Sequence, residues 1–477
     1  MVSGTLRLGT GPGRGALLAA TLASGMAFLD GTIVNVALPH LGAELDASLA
    51  GLQWTVNGYM LTLAAFVLLG GSLGDRYGRR RVFTIGVLWF TTASVLCGLA
   101  ANVEWLVAAR LLQGLGAALL VPGSLALLQA SFHPDERGKA IGAWTGLSGV
   151  ATAAGPFVGG WLIDALSWRA IFFLNVPLAL VAVFAAVRWV PESRAPRAER
   201  FDVAGALLAA AGLAGITYAL IEGAERGFSS WSVLLSVAVG AVATLAFVLV
   251  ERHRGATAML PPSLFASRLF SALNVYTVAV YAALSGLSFF LVVYLQNVAG
   301  FSALGAGASI LPATLLMLAG SSWSGALATR LGPRPQLTAG PLIAAAGLLL
   351  LRQIGPDANF WTDVLPGTVV FGVGLTLLVA PLTTAVLGAV DDEHAGVASG
   401  VNNAAARAGG LLAVAALPLL VGLSGTAYEN PDELTAGFRG AMLWCAGLLA
   451  AGAVLGLVLV HRPSQAQAPG SREPEPS

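Results

Sequence analysis

The chain has 477 residues, 56% of them hydrophobic and 10% charged, with a mean hydropathy of +0.79. Soluble domains carry roughly 25% charged residues, so this composition excludes a soluble globular protein and points to a polytopic membrane protein. A formal net charge of +1 leaves no footprint for nucleic acid, and the two cysteines, Cys97 and Cys445, read as small core residues rather than a disulfide framework or a metal site.

Apolar runs of membrane length recur at fourteen places, each near the ~20 residues that a bilayer core demands. The first six are 15–38, 54–73, 82–101, 105–129, 140–163 and 168–187. Run 15–38 reads as a first span rather than a signal peptide, because no small-x-small cleavage site precedes a polar region. A charged linker, 191–202, separates these from two charge-free runs, 203–221 and 231–250. Glu222 and Glu225 follow the first of the two and read as solvated. A second linker, 251–268, contains Pro261-Pro262. Six more runs follow: 270–295, 303–327, 336–351, 364–387, 397–423 and 438–460, the third of them cut short by Arg352. The tail 463–477 is rich in Pro, Ser and Glu and reads as disordered.

Charge sets the orientation. With both ends cytoplasmic, only Arg169, Arg226, Arg352 and Arg439 fall in outer loops. Arg110 and Arg407 lie inside helices, and every other basic residue faces the cytoplasm, as the positive-inside rule demands. An even number of spans is implied, since dropping one helix would carry Arg330 and Arg334 outside. An internal repeat supports two halves. Gly71, Arg76, Gly78, Arg80, Thr84 and Gly86 recur at one offset as Gly325, Arg330, Gly332, Arg334, Thr338 and Gly340. At a nearly equal offset, Gly114, Gly116, Gly138, Ala140 and Gly142 recur as Gly372, Gly374, Gly396, Ala398 and Gly400. The second copy is degenerate, with Thr329 at the place of Asp75 and Thr368 at that of Arg110.

Between the second and third runs the chain reads GGSLGDRYGRRR, residues 70–81. So short a link makes the two runs antiparallel neighbours, and Gly70, Gly74 and Gly78 let backbones approach closely. Charges within the runs are costly and therefore informative. Asp30 interrupts the first run in FLDGTIVNVALP, where a carboxylate can take up and release a proton; the alternative is a structural Asp bonded to a neighbouring helix. Arg110 shares a small, polar helical face with Gln113, Gly114 and Ala117. It either biases a nearby carboxylate or snorkels toward the outer surface. In the fifth run Gly155-Pro156-Phe157-Val158-Gly159-Gly160 combines a helix-bending proline with close-approach glycines, which as bare physics is a packing kink. Arg407 shares a face with Gly400, Asn403 and Gly410.

Taken together, LDGTIVNVALP, the 70–81 loop, Arg110 to Pro122, Gly155–Gly160 and SWRAIFFLNVP resemble, in order, the fourteen-helix drug:proton antiporter family of the major facilitator superfamily. The resemblance spans nearly the whole chain. It implies an all-α polytopic membrane protein of the major facilitator fold, with two six-helix halves plus two inserted central helices. The divisions are 1–190 for the N-terminal half, 191–268 for the linkers and inserted helices, 269–462 for the C-terminal half, and 463–477 for the tail. It further implies a proton-coupled exporter of a small amphipathic, drug-like compound that is not an enzyme. Proton coupling falls to Asp30 and Arg110, and conformational gating to Gly71, Asp75, Arg76, Gly78, Arg79, Arg80, Gly155, Pro156, Gly159 and Gly160. The candidate substrate cavity is Asn35, Asn57, Gln113, Asn403 and Arg407. The family's polar pattern after Arg407 is interrupted by Ala408, and neither 303–327 nor 397–423 holds an acidic residue, which argues against polycation substrates.

The expected setting is a bacterial cell membrane and a monomer, with protons, lipid and a small molecule as partners and no cofactor. The only lysine, Lys139, has no glycine-rich phosphate loop before it, so ATP does not drive transport from this chain. His40, His133, His253, His394 and His461 fall in loops or at ends, which leaves no intramembrane relay. An uptake symporter or facilitator of the same fold is the competing reading. A membrane enzyme or receptor is disfavoured, because no nucleophile–base pair and no large soluble domain is present.

Overall fold

The structure is a computed structural model that describes residues 4–195, 202–255, 258, 260–391 and 395–459. The tail beyond 463, His394 and His461 lie outside the described residues. Among the described residues, fourteen helices are long and apolar enough to cross a membrane. They are α1 Gly11–Leu45, α2 Leu49–Tyr77, α3 Arg79–Gly98, α4 Val103–Ser131, α5 Pro134–Ala165, α6 Arg169–Trp189, α7 Val203–Arg226 and α8 Trp231–Arg254. The second set is α9 Arg268–Asn297, α10 Ala303–Leu331, α11 Arg334–Leu351, α12 Phe360–Leu387, α13 Gly396–Leu420 and α14 Pro431–Leu459. Among the described residues the only strand-like feature is an isolated bridge between Leu6 and Phe132.

Local chemistry starts these helices where the sequence allows a cap. Side chains of Thr10, Ser48, Asn102, Asp202, Ser267 and Ser302 accept from the N–H three residues on, at the starts of α1, α2, α4, α7, α9 and α10. Several helices overrun the apolar runs. α5 begins at Pro134 and carries Asp164 inside its last turn, because capping and tertiary packing rather than hydropathy set the ends. The run 168–187 is a helix broken at Leu174.

Four of the prolines inside the spans, Pro156, Pro341, Pro381 and Pro418, share one use. A proline removes an N–H and frees the carbonyl four residues before it, which must find another donor in lipid. The carbonyl freed by Pro156 is that of Thr152, and it receives the Thr32 hydroxyl at 3.4 Å. Pro341 frees Leu337, which accepts from the Tyr276 hydroxyl at 3.0 Å. Pro381 frees Leu377, which accepts from Ser324 at 3.3 Å. Pro418 frees Val414, which accepts from Gln53 Nε2 at 2.6 Å. Each of these four kinks thereby becomes a tether to another helix.

Helices α1–α6 pack on one another, and so do α9–α14. Residues paired by the sequence repeat occupy matching crossings. Gly116 lies against the Phe90 backbone where α4 crosses α3, and Gly374 against Ala344 where α12 crosses α11. Side chains in their place would collide with main chain, so these glycines set the spacing. α7 and α8 pair with each other, and α7 also lies on α2 and α13. α8 turns Val239, Val242, Leu245 and Leu249 outward, exposed, as a lipid-facing helix does.

The two ends of the assembly differ. The "N-terminal face" carries the start of α1 and the 77–79 turn, and the "distal face" the 45–49 and 420–431 loops. Toward the distal face the apolar core is continuous, joining Leu38, Leu41, Leu52 and Leu106 with Phe289, Tyr294, Val414 and Phe438. Toward the N-terminal face a separate core, with Phe83, Phe90, Leu128 and Phe132, belongs to α1–α6 alone. The bundles share one apolar core toward the distal face, and toward the other the α1–α6 bundle keeps a core of its own.

Candidate functional site

Between the bundles lies a cavity of about 430 Å³. From α1 it is lined by Phe28, Gly31, Thr32 and Asn35, from α9 by Tyr281, Ser285 and Ser288, and from α13 by Asn402, Asn403 and Arg407. Thr152, whose carbonyl Pro156 frees, adds α5 to the wall.

Asp30 and Arg110 meet directly behind this wall. They form an ion pair with side-chain exposures of 0% and 1%. Gln113 closes the triangle, accepting from Arg110 at 2.7 Å and donating to the second oxygen of Asp30 at 2.8 Å. Arg110 also donates to the carbonyl of Thr55 at 3.0 Å and lies 4.5 Å from the centre of the Tyr59 ring. Both carboxylate oxygens are therefore engaged, and the arginine does not snorkel. Such burial is tolerable only because each charge is paired and hydrogen-bonded.

Two expectations about the cavity need correcting. Gln113 is not a wall residue, because its amide is committed to Asp30 and Arg110. Asn57 is fully buried in α2, and both polar atoms of its side chain lack a hydrogen-bond partner among the described residues. Asn35, Asn403 and Arg407 do line the cavity.

The Gly155–Gly160 stretch sits between the bundles. Gly155 and Gly159 take Thr32 and Ile33 of α1, while Gly160 faces the Ala303–Leu304 backbone of α10. Gly307 in turn approaches the carbonyl of Pro156. Asp164, one turn further on, accepts from the N–H groups of Ala303 at 3.1 Å and Leu304 at 2.9 Å. Sequence reasoning missed Asp164, because the apolar run ends one residue before it. It missed the rest of the distal contacts too. Gln53 donates to Val414 and Ala415, Gln296 to Val36 at 3.0 Å, and Leu49 N–H to Gly425 at 2.9 Å. The Tyr428 hydroxyl donates to Ala47 at 2.8 Å. Burial first, with Glu429 beside it, pushes this phenol up to about 12, so it stays a donor near neutral pH.

Glu222 and Glu225 are not solvated bystanders. Glu222 is buried, accepts from the Trp54 indole at 3.1 Å and pairs with Arg226 at 2.6 Å. Glu225 accepts from the Ala50 N–H at 3.4 Å. No local sequence signal pointed to this docking of α7 on α2.

At the N-terminal face Asp75 pairs with Arg79 of its own turn at 2.7 Å. Gly78 has φ +114°, a conformation suited to glycine, and Glu192 lies over it. Glu192 accepts from the N–H groups of Arg80 and Arg81, both at 3.1 Å, and Arg80 Nη1 donates to Val190 O at 3.1 Å. Gly71 lies near Pro122 of α4, and the Arg76 guanidinium lies 5.7 Å from the Tyr77 ring centre. The turn is thus fastened to the segment after α6. Among the described residues, the Asp75 carboxylate is paired only with Arg79 and has no partner on α9–α14.

The Major Facilitator Superfamily profile matches residues 20–414. The chain is 37% identical to a probable actinorhodin transporter of Streptomyces coelicolor, over 84% of this chain and 71% of that protein. It is also 37% identical to the tetracenomycin C resistance and export protein of Streptomyces glaucescens, over 85% and 75%. Among solved structures, a bacterial homologue of the human lysosomal transporter Spinster, inward-facing and unoccupied, aligns with a TM-score of 0.67 at 17% identity, covering 93% of this chain and 96% of that one. Fourteen spans, helical bundles of this arrangement and a profile match over most of the length agree, and the chain belongs to the Major Facilitator Superfamily.

Proposed function

We propose that the chain is a proton-coupled exporter of a small amphipathic compound of antibiotic type, and that Asp30, Arg110 and Gln113 form its proton site. One observation carries this reading: a buried carboxylate–guanidinium pair stands one residue from Gly31 in the cavity wall. Relatives named for export of and resistance to antibiotics support the direction and the class of cargo.

The chemistry follows from the pairing. A proton arriving on Asp30 cancels its charge and removes the attraction that holds α1 to α4. Arg110 keeps Gln113 and the Thr55 carbonyl, so it is not left bare. α1 is then free to shift, and α1 carries Gly31, Thr32 and Asn35 into the cavity. Proton occupancy and cavity shape are thereby linked, which is what exchange requires.

The distal face is the outer one in this reading, both ends of the chain are cytoplasmic, and the state described here is open inward. Two six-helix halves, 1–190 and 269–462, rock about the cavity, with the 191–268 segment riding beside them. Gly155, Pro156, Gly159 and Gly160 seal the outer side. Gly71, Asp75, Arg76, Gly78, Arg79 and Arg80 shape the cytoplasmic turn, which meets the other half when the protein opens outward. The protein acts as a monomer in a bacterial cell membrane.

Expression in a bacterium stripped of its own exporters tests the function. Tolerance to at least one antibiotic should rise, and a protonophore should abolish the gain. Tolerance that survives the protonophore, or increased uptake instead of efflux, would contradict it. Sidedness is tested by cysteine labelling, with little background because Cys97 and Cys445 are buried. Cysteines at Arg79 and Lys139 should react only from the cytoplasm, and those at Glu44 and Glu429 only from outside. An externally labelled position 139 would overturn the topology.

A further inference from the structure

The cavity wall holds one formal charge, and it is positive. Arg407 enters from α13 half-buried, and its guanidinium makes no hydrogen bond and no ion pair with any described residue. Its carbon lies 6.0 Å from the centre of the Phe28 ring across the cavity. Among the described residues, no Asp or Glu lines the space. Asp30, next in sequence to Gly31 of the wall, is committed to Arg110 and Gln113.

A guanidinium offers five N–H donors in a planar fork and does not lose its proton. In a concave site with low-dielectric walls, an unmatched cation dominates the local potential. The rest of the wall is mild: the Phe28 face, the Tyr281 ring, and small hydroxyls at Ser285 and Ser288. A volume of about 430 Å³ suits a compact multi-ring molecule. An organic cation would meet a like charge here and find no counter-ion.

We propose that the cargo of this cavity is an amphipathic aromatic monoanion, whose acidic group seats on Arg407 while its rings lie against Phe28 and Tyr281. The proposal deepens the exporter reading by naming the substrate class of the same cavity. Binding itself requires neither proton coupling nor a given direction.

The test is equilibrium binding to the purified full-length chain in lipid nanodiscs, with no gradient present. Three probes of one shape are compared by calorimetry: 9-anthracenecarboxylate, 9-anthracenecarboxamide and 9-anthracenylmethylammonium. The carboxylate should bind roughly 10- to 100-fold more tightly than the amide, the worth of one charge-assisted contact, with the ammonium weakest. Arg407→Gln should erase that preference while weakening the amide at most about threefold. Arg407→Lys keeps the charge without the fork, and should retain part of the preference even if the Gln variant folds poorly. Equal affinity for carboxylate and amide, preference for the ammonium, binding of none of the three, or a preference that survives Arg407→Gln would each overturn the proposal. Loss of proton-dependent export with the anion preference intact would instead remove the exporter reading and leave this one standing.

Discussion

Asp30→Asn is expected to abolish proton-driven export while leaving the cavity able to bind its cargo. A proton crossing 100 mV yields about 2.3 kcal/mol, and one pH unit adds about 1.4 kcal/mol. Tight coupling of one proton would support roughly 10²–10³-fold accumulation, and the variant should show none. The reason is local. Among the described residues, Asp30 is the only acidic one on α1–α14 wholly buried in a charge-paired cluster beside the cavity. An amide there cannot exchange a proton, and it leaves Arg110 without its counter-ion. Breaking a buried pair in that way costs about 3–5 kcal/mol, so the single variant is also expected to be less stable. Asp30→Asn combined with Arg110→Gln removes both charges and should recover stability without recovering coupling. Counterflow of cargo, which needs binding and alternation but no proton gradient, separates the two losses. Asp30→Asn vesicles that still concentrate cargo under an imposed pH gradient would move the proton site elsewhere.

Gly160→Leu is expected to cost as much transport for a different reason. A Cβ at Gly160 would stand 2.5 Å from Leu304 Cα, which is main chain and cannot step aside. If the Gly155–Gly160 stretch seals the distal side, closure requires α5 and α10 to touch there. Overpacking of this kind costs ~1–3 kcal/mol, which shifts a two-state equilibrium roughly 5- to 150-fold. The cost falls only on the state described here, since opening the distal side separates the two helices. The population should move toward a distal-open form. A cysteine placed at Ser288 in the cavity wall should then react faster with an impermeant reagent from the distal side than in the parent protein. Unchanged labelling and unchanged transport would reduce the Gly155–Gly160 stretch to a simple helix kink.

Much of this architecture is readable from the chain alone, because hydropathy over membrane-length windows is a strong signal and lipid permits few alternatives. The same holds for Asp30 and Arg110, since charges within apolar runs announce themselves. What periodicity does not give is the azimuth of a helix buried on all sides. Gln113 shares a small, polar face with Arg110 and so reads as cavity wall; the structure makes it a partner of Arg110 and Asp30. Asn57 sits one residue from Val56, which lines the cavity, yet faces away from it. Long-range pairs are invisible for a related reason. Gln53 reaches a carbonyl in α13 that only the kink at Pro418 exposes, and Glu222 meets Trp54 of a different helix. Nothing local marks either pair. Asp164 was hidden by the boundary of an apolar run, although its place one turn after Gly160 was in plain view.

The most direct test of the central claim is proton movement driven by cargo alone. Proteoliposomes carrying a trapped pH dye, with no initial pH gradient, would be given a gradient of a compound to which the chain confers tolerance. Cargo flowing down its gradient should move protons the opposite way through the parent protein, and Asp30→Asn should pass cargo with no pH change. Cargo flow through the parent protein with no proton movement, or an unchanged proton signal in Asp30→Asn, would contradict it.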